Sequence, residues 1–205
     1  MKIKICGLNP TRDLRTCIDL NVHFLGFVFY DKSPRNTNLR EISILKRYNP
    51  KTSHYVSVCV DPTDTFIQEN IVGNFEYIQL HGSEPTKRVK EIKNMGIKVI
   101  KAIKVKEQKD IALYENYKDI ADLILFDSTS MEKSQSIPKD LLYKLPKGEK
   151  FGLAGAINLE NIKEYCQLGF NFLDLSSGLE RENLKGYKDH LKIKNFINKI
   201  NELKN

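Results

Sequence analysis

Several residues able to move protons or hold anions stand at the ends of short apolar runs in this 205-residue chain. Cys6 closes Lys2-Ile3-Lys4-Ile5, where a period of two sets Ile3 and Ile5 on one face and Lys2, Lys4 and Cys6 on the other. A thiol so placed is either a small buried hydrophobe or a thiolate base, its pKa drawn from about 8.5 toward neutrality by the Lys4 ammonium. Asp127 ends Leu123-Ile124-Leu125-Phe126 and is either a loop cap or an acid poised above that strand. His81 ends Tyr77-Ile78-Gln79-Leu80 with the same two readings. Arg35, beside the rigid Pro34, is either a solvated charge or a fork of donors for a carboxylate. The turns Gly155-Ala156-Ile157-Asn158 and Ser176-Ser177-Gly178 are alike in composition, and their glycines either permit tight turns or let backbone approach a ligand.

Periodicity assigns the elements that must position these groups. After a first strand ended by Gly7, it predicts strands over 23–29, 54–60, 77–81, 98–103, 123–127, 151–155 and 172–176. Helices are predicted over 12–20, 39–48, 108–117, about 138–145 and 188–203. Pro62 and Pro85 are expected at the first positions of two more, with Gly96 ending the second, and Asn158 is expected to cap another that Gly169 stops. Eight strict βα units in about 200 residues imply a single-domain α/β protein, a TIM (β/α)8 barrel over 1–205, rather than an open doubly wound sheet. Neither GxGxxG nor GxxxxGK occurs to favour the latter. Barrel closure sets strand eight beside strand one, which gives Lys4 a competing use as the buried partner of Asp174. It also sets the seventh and eighth turns together, where barrels often cradle phosphate on backbone N–H groups, with 179–184 as the short extra helix.

Composition narrows the function classes. A net charge of +7 is spread along the chain with no nucleic-acid-reading motif, so a solvated surface that weakly steers anionic substrates is expected, not nucleic-acid binding. No apolar run approaches the ~18 residues of a membrane span, and no signal-type segment opens the chain, so a cytoplasmic protein is expected. Cys6, Cys17, Cys59 and Cys166 form no CxxC pair and read as free thiols. The histidines at 23, 54, 81 and 190 show no HxxxH spacing, and there is no GxSxG elbow.

Six segments in order, KICGL (4–8), GFVFYDKSPR (26–35), IQLHG (78–82), ILFDS (124–128), GLAGAINLENI (152–162) and DLSSGLE with KGYKD (174–189), resemble the phosphoribosylanthranilate isomerase family of tryptophan biosynthesis. The resemblance runs from end to end of the chain. It implies an Amadori rearrangement of N-(5-phosphoribosyl)anthranilate without cofactor or metal. Asp127 would be the general acid and Cys6 the general base. Arg35 would face the anthranilate carboxylate, Asp174 the sugar end, and Gly155, Ala156, Ser177 and Gly178 the phosphate. His81 would be a hydrogen-bonding wall residue. The partner implied is an anionic small molecule, bound by a monomer or homodimer.

Two departures from the family pattern carry expectations of their own. The segment 128–138, STSMEKSQSIP, replaces a glycine-rich lid and is expected to be mobile, with Met131 alone able to cover an aryl ring. Ala156 stands where the family usually has a second glycine, so either phosphate binding weakens or Ala156 keeps an ordinary negative φ at no cost. The alternative function is a barrel that binds a sugar phosphate or a partner enzyme without turnover.

Overall fold

Alternation along each strand divides the apolar residues between two cores, one inside a ring of strands and one outside it. The computed structural model, which describes residues 1–128 and 136–204, closes eight parallel strands in chain order. They are β1 (Lys2–Cys6), β2 (Phe24–Phe29), β3 (His54–Cys59), β4 (Tyr77–Leu80), β5 (Lys98–Lys104), β6 (Leu123–Asp127), β7 (Gly148–Ala154) and β8 (Phe170–Leu175). The ring closes where β1 meets β8, with Lys4 opposite Asp174. This is the TIM (β/α)8 barrel that the βα alternation implied.

Inside the ring, Phe24, Val56, Val58, Ile100, Leu125 and Phe172 form one cluster. Outside it, Ile3, Ile5, Leu25, Phe27, Val99, Ile124, Phe126 and Leu173 pack against the helices. The inner cluster fits because Gly152 on β7 has no Cβ, since one there would run into the Phe172 ring. The outer layer is α1 (Leu14–Asp19), α2 (Ile42–Leu45), α3 (Asp64–Phe66), α4 (Thr86–Asn94), α5 (Gln108–Ile111), α6 (Lys139–Leu142), α7 (Ile162–Cys166) and α8 (His190–Lys204). None of the described helices is long and apolar enough to cross a membrane.

Several local expectations are corrected. α3 begins at Asp64 rather than at Pro62, because the Thr63 hydroxyl accepts from the Phe66 N–H at 3.2 Å while Asp61 turns away at φ 45°. Pro85 occupies the N-cap of α4 rather than its first turn. Asn158 bonds the amides of Glu160 and Asn161 in a local turn, so α7 starts later, at Ile162. The helix expected over 179–184 is absent. A single 3-10 turn (Ser177–Leu179) leads instead into an antiparallel hairpin, β9 (Glu180–Arg181) and β10 (Leu184–Lys188). Asn183, at φ 60°, makes its tight connection. The expected mobility of 128–138 and the role of Met131 fall largely on residues 129–135, outside the described residues.

The Gly152 contact has a direct consequence for stability. Gly152→Ala should lower the unfolding free energy in urea by about 1–3 kcal/mol through overpacking. An unchanged midpoint and slope would show that the Phe172 ring moves aside at no cost.

Candidate active site

At the C-terminal ends of the strands the inner face turns from apolar to polar. β1 ends in Cys6, and its neighbour across the ladder is Gly26 on β2. A Cβ on Gly26 would lie 3.2 Å from Lys4 Nζ and 3.3 Å from Cys6 Sγ, so this glycine makes the space that both heads occupy. Lys4 is fully buried and donates to Asp174 Oδ2 at 2.8 Å, which bears out its use as a structural ion pair. Asp174 Oδ1 is buried with no hydrogen-bond partner among the described residues.

Burial works against the Lys4 ammonium, but Asp174 and the Cys6 thiol outweigh it and hold Lys4 above the usual lysine range. Burial also pushes the Asp174 carboxyl up, and Lys4 pulls it back. The expectation that Lys4 draws Cys6 toward neutrality is corrected. Burial pushes this thiol up further than Lys4 and Lys188 pull it down, and Asp174 adds to the rise.

Asp127 closes β6, three strand positions around the ring from Cys6. Its backbone carbonyl accepts from Val105 N–H at 2.9 Å, which leaves the carboxylate at the mouth, 3.4 Å from His81 Nε2. Gln79 Nε2 lies 3.1 Å from His81 Nδ1. With Gln79 donating, the imidazole proton belongs on Nε2, toward Asp127. Asp127 and His81 are both near enough to bias the titration of Asp174, so all three share one space.

Arg35 is not a solvated charge. Its Nε and Nη2 donate to the two carboxylate oxygens of Glu180 at 2.6 and 2.9 Å. Its stem crosses the turn after Cys6, where a Cβ on Gly7 (φ 74°) would lie 2.5 Å from Arg35 Cδ. A bidentate pair on one edge leaves the other edge of the fork for a second anion.

The seventh and eighth turns do meet. A Cβ on Gly178 would lie 2.6 Å from the carbonyl oxygen of Ile157, and Ser177 begins the 3-10 turn alongside. Gly155 has φ 109° and Ala156 φ 48°, which excludes an ordinary negative φ at Ala156. Asn161 Nδ2 holds the Ala156 carbonyl at 2.9 Å, one bond that maintains this strained turn. Ser176 Oγ donates to the Cys6 carbonyl at 3.1 Å, tying the end of β8 to the end of β1.

Two buried pairs behind the site escaped the sequence reading. Lys101, on the outer face of β5, donates to Glu84 Oε2 at 2.7 Å, Gly82 O at 2.9 Å and Leu80 O at 3.3 Å. The other Glu84 oxygen accepts from the Asp61 and Gly82 amides, so the loop carrying His81 is stapled down. Burial alone would raise Glu84, but Lys101 outweighs it and holds the carboxyl below its usual range. A lysine inside the apolar run VIKAI was the available signal. The second pair, Lys188 with Glu180 at 3.2 Å, lies on the hairpin found where a short helix over 179–184 is expected.

A description of the N-(5'-phosphoribosyl)anthranilate (PRA) isomerase family matches residues 3–199. The N-(5'-phosphoribosyl)anthranilate isomerase of Aquifex aeolicus is 34% identical over 206 residues, covering 96% of this chain and 97% of that protein. The crystal structure of the Thermotoga maritima phosphoribosyl anthranilate isomerase superposes with a TM-score of 0.86 at 27% identity, covering 98% of this chain and 99% of that one. A further phosphoribosyl anthranilate isomerase structure, with TM-score 0.81, 27% identity and the same coverage, holds reduced 1-(o-carboxyphenylamino)-1-deoxyribulose 5-phosphate.

Removing Lys101 leaves Glu84 buried without a counter-charge, held only by the Asp61 and Gly82 amides. Lys101→Met should therefore cost about 3–5 kcal/mol of unfolding free energy. Urea denaturation at neutral pH checks it, and a loss below about 1 kcal/mol would assign Lys101 no more weight than a surface pair.

Proposed function

Because the chain belongs to the N-(5'-phosphoribosyl)anthranilate isomerase family, we propose that it converts N-(5'-phosphoribosyl)anthranilate to 1-(2-carboxyphenylamino)-1-deoxyribulose 5-phosphate, a step of tryptophan biosynthesis. The observation that carries this reading is the meeting, at one barrel mouth, of a carboxyl backed by an imidazole and a thiol backed by an ammonium. Between them stands Asp174, and to one side the Arg35 fork.

Asp127 gives a proton to the furanose ring oxygen. The C1'–O4' bond breaks as the nitrogen lone pair forms the C1'=N iminium. Cys6, as thiolate, takes the C2' proton, and the electrons of that C–H bond become the C1'=C2' bond while those of the iminium return to nitrogen. The resulting enolamine tautomerises to the ketone. C1' is reduced and C2' oxidised within one molecule, so the chemistry is that of an intramolecular oxidoreductase and its balance needs no external redox cofactor.

The raised thiol pKa makes the thiolate scarce in the free protein, and an iminium formed beside Cys6 offsets this by favouring the thiolate at the step that needs it. His81, with Nε2 3.4 Å from Asp127 Oδ2, stands beside the acid as a wall of the site. The free edge of Arg35 takes the aryl carboxylate, Asp174 the sugar hydroxyls, and the turns at Gly155, Ala156, Ser177 and Gly178 the phosphate. Residues 1–205 act as one domain, and a substrate of this class suits a cytoplasmic enzyme.

Turnover is followed as the loss of anthranilate-type fluorescence. Cys6→Ala and Asp127→Asn should each lower kcat by ~100-fold or more with the fold intact by circular dichroism. The thiolate fraction grows with pH, and the Cys6 pKa lies above the ordinary cysteine value, so kcat/KM should still be climbing through the mildly alkaline range. That climb should be absent from the residual activity of Cys6→Ala. Native protein that binds the substrate without consuming it would favour the non-catalytic barrel instead.

A further inference from the structure

Lys188, whose only effect on the chemistry proposed above is a pull on the Cys6 thiol, has its side chain fully buried at the edge of the site. Its Nζ donates to Ser176 O at 3.0 Å and Glu180 Oε1 at 3.2 Å, and lies 3.5 Å from Ser176 Oγ. Three acceptors match the three protons of an ammonium. Glu180 in turn holds Arg35 through both of its oxygens. The hairpin that carries Lys188 is clamped on the Arg35 loop. Gly186, at φ 81°, lies against the Pro34 carbonyl, and Arg12 Nη2 bonds Gly186 O at 3.2 Å while its guanidinium stacks 3.9 Å from the Tyr187 ring.

A tally of charge gives this arrangement a purpose. Arg35 and Glu180 alone sum to zero, and an anion reaching the outer edge of the fork would meet the Glu180 carboxylate just behind it. The buried Lys188 brings the trio to one net positive charge. Among the described residues Arg35 Nη1 carries no hydrogen bond, so an edge of the fork remains to receive a carboxylate. We infer that Lys188 is a positioning residue for carboxylate recognition: it neutralises Glu180, so that Glu180 fixes the Arg35 fork without cancelling its charge.

The charge states agree with this. Burial would raise Glu180, but Arg35 and Lys188 outweigh it and keep the carboxyl below its usual range. Burial draws Lys188 below the usual lysine range, against the pull of Glu180. The inference rests on the reading that Arg35 faces the anthranilate carboxylate.

The test compares the calorimetric affinities of two probes, reduced 1-(o-carboxyphenylamino)-1-deoxyribulose 5-phosphate and its counterpart lacking the ring carboxylate. The native protein should prefer the carboxylate form. Lys188→Met should cut that preference by about tenfold while leaving the affinity for the other probe unchanged. Adding Glu180→Gln to Lys188→Met should restore the preference, since Arg35 is then uncancelled again. Equal weakening of both probes by Lys188→Met, or a further loss in the double variant, would overturn the inference by making Lys188 a packing residue only. Arg35→Ala separates the two levels of the argument. Preference lost in Arg35→Ala but kept in Lys188→Met overturns the role of Lys188 alone, whereas preference kept in Arg35→Ala overturns it together with the reading beneath it. Should Lys188→Met fail to fold, Glu180→Gln alone decides: an equal or larger preference supports the charge tally, and a smaller one overturns it.

Discussion

A closed eight-stranded barrel has a dry interior, and an ammonium placed in it must be matched or the barrel does not close in that register. Here the ammonium is Lys4 and the match is Asp174, opposite it across the ladder that joins the last strand to the first. A slip of one residue would turn Lys4 outward into the apolar layer of Ile3 and Ile5 and bring Leu173 or Leu175 inward. The pair therefore couples closure of the ring to the placement of Cys6, two residues further along β1. Gly26 is part of the same device, because a Cβ there would press on both Lys4 Nζ and Cys6 Sγ.

The same logic recurs twice around the mouth. Lys101 with Glu84 holds the loop that presents His81 to Asp127, and Lys188 with Glu180 backs the Arg35 fork. Such pairs offer little net stability over apolar substitutes of equal volume, since both charges lose their hydration. What they supply is position, because each cation satisfies several oxygens that only one arrangement of the loops brings together. The strand end that carries Cys6, the loop that carries His81 and the Arg35 fork are thus each held by a buried lysine paired with a carboxylate.

The barrel was legible because its signal is repetition. Short apolar strands at regular spacing survive errors at single boundaries, and a helix starting at Asp64 instead of Pro62 changes no strand. The positions of Cys6, His81 and Asp127 at the barrel mouth were legible for a related reason: each ends or follows an apolar strand. The hairpin was not. Its sequence, ERENLKGYK, alternates poorly and is charged throughout, and what makes it a hairpin is the αL turn at Asn183 and the burial of Glu180 and Lys188 against distant residues. Nor does composition announce that the Cys6 thiol sits above its ordinary pKa. That follows from the depth of burial, which offsets the charge of the neighbouring lysine that the strand pattern revealed.

The central claim is that Cys6 removes a proton from C2' of the sugar while Asp127 opens the ring. Single-turnover rates with substrate carrying deuterium at C2' test it most directly, since product release cannot mask the chemical step. The account predicts a primary isotope effect in the native enzyme, and a residual reaction in Cys6→Ala that is slow throughout. Equal rates for the two isotopic substrates, with Cys6→Ala turning over as the native enzyme does, would contradict it.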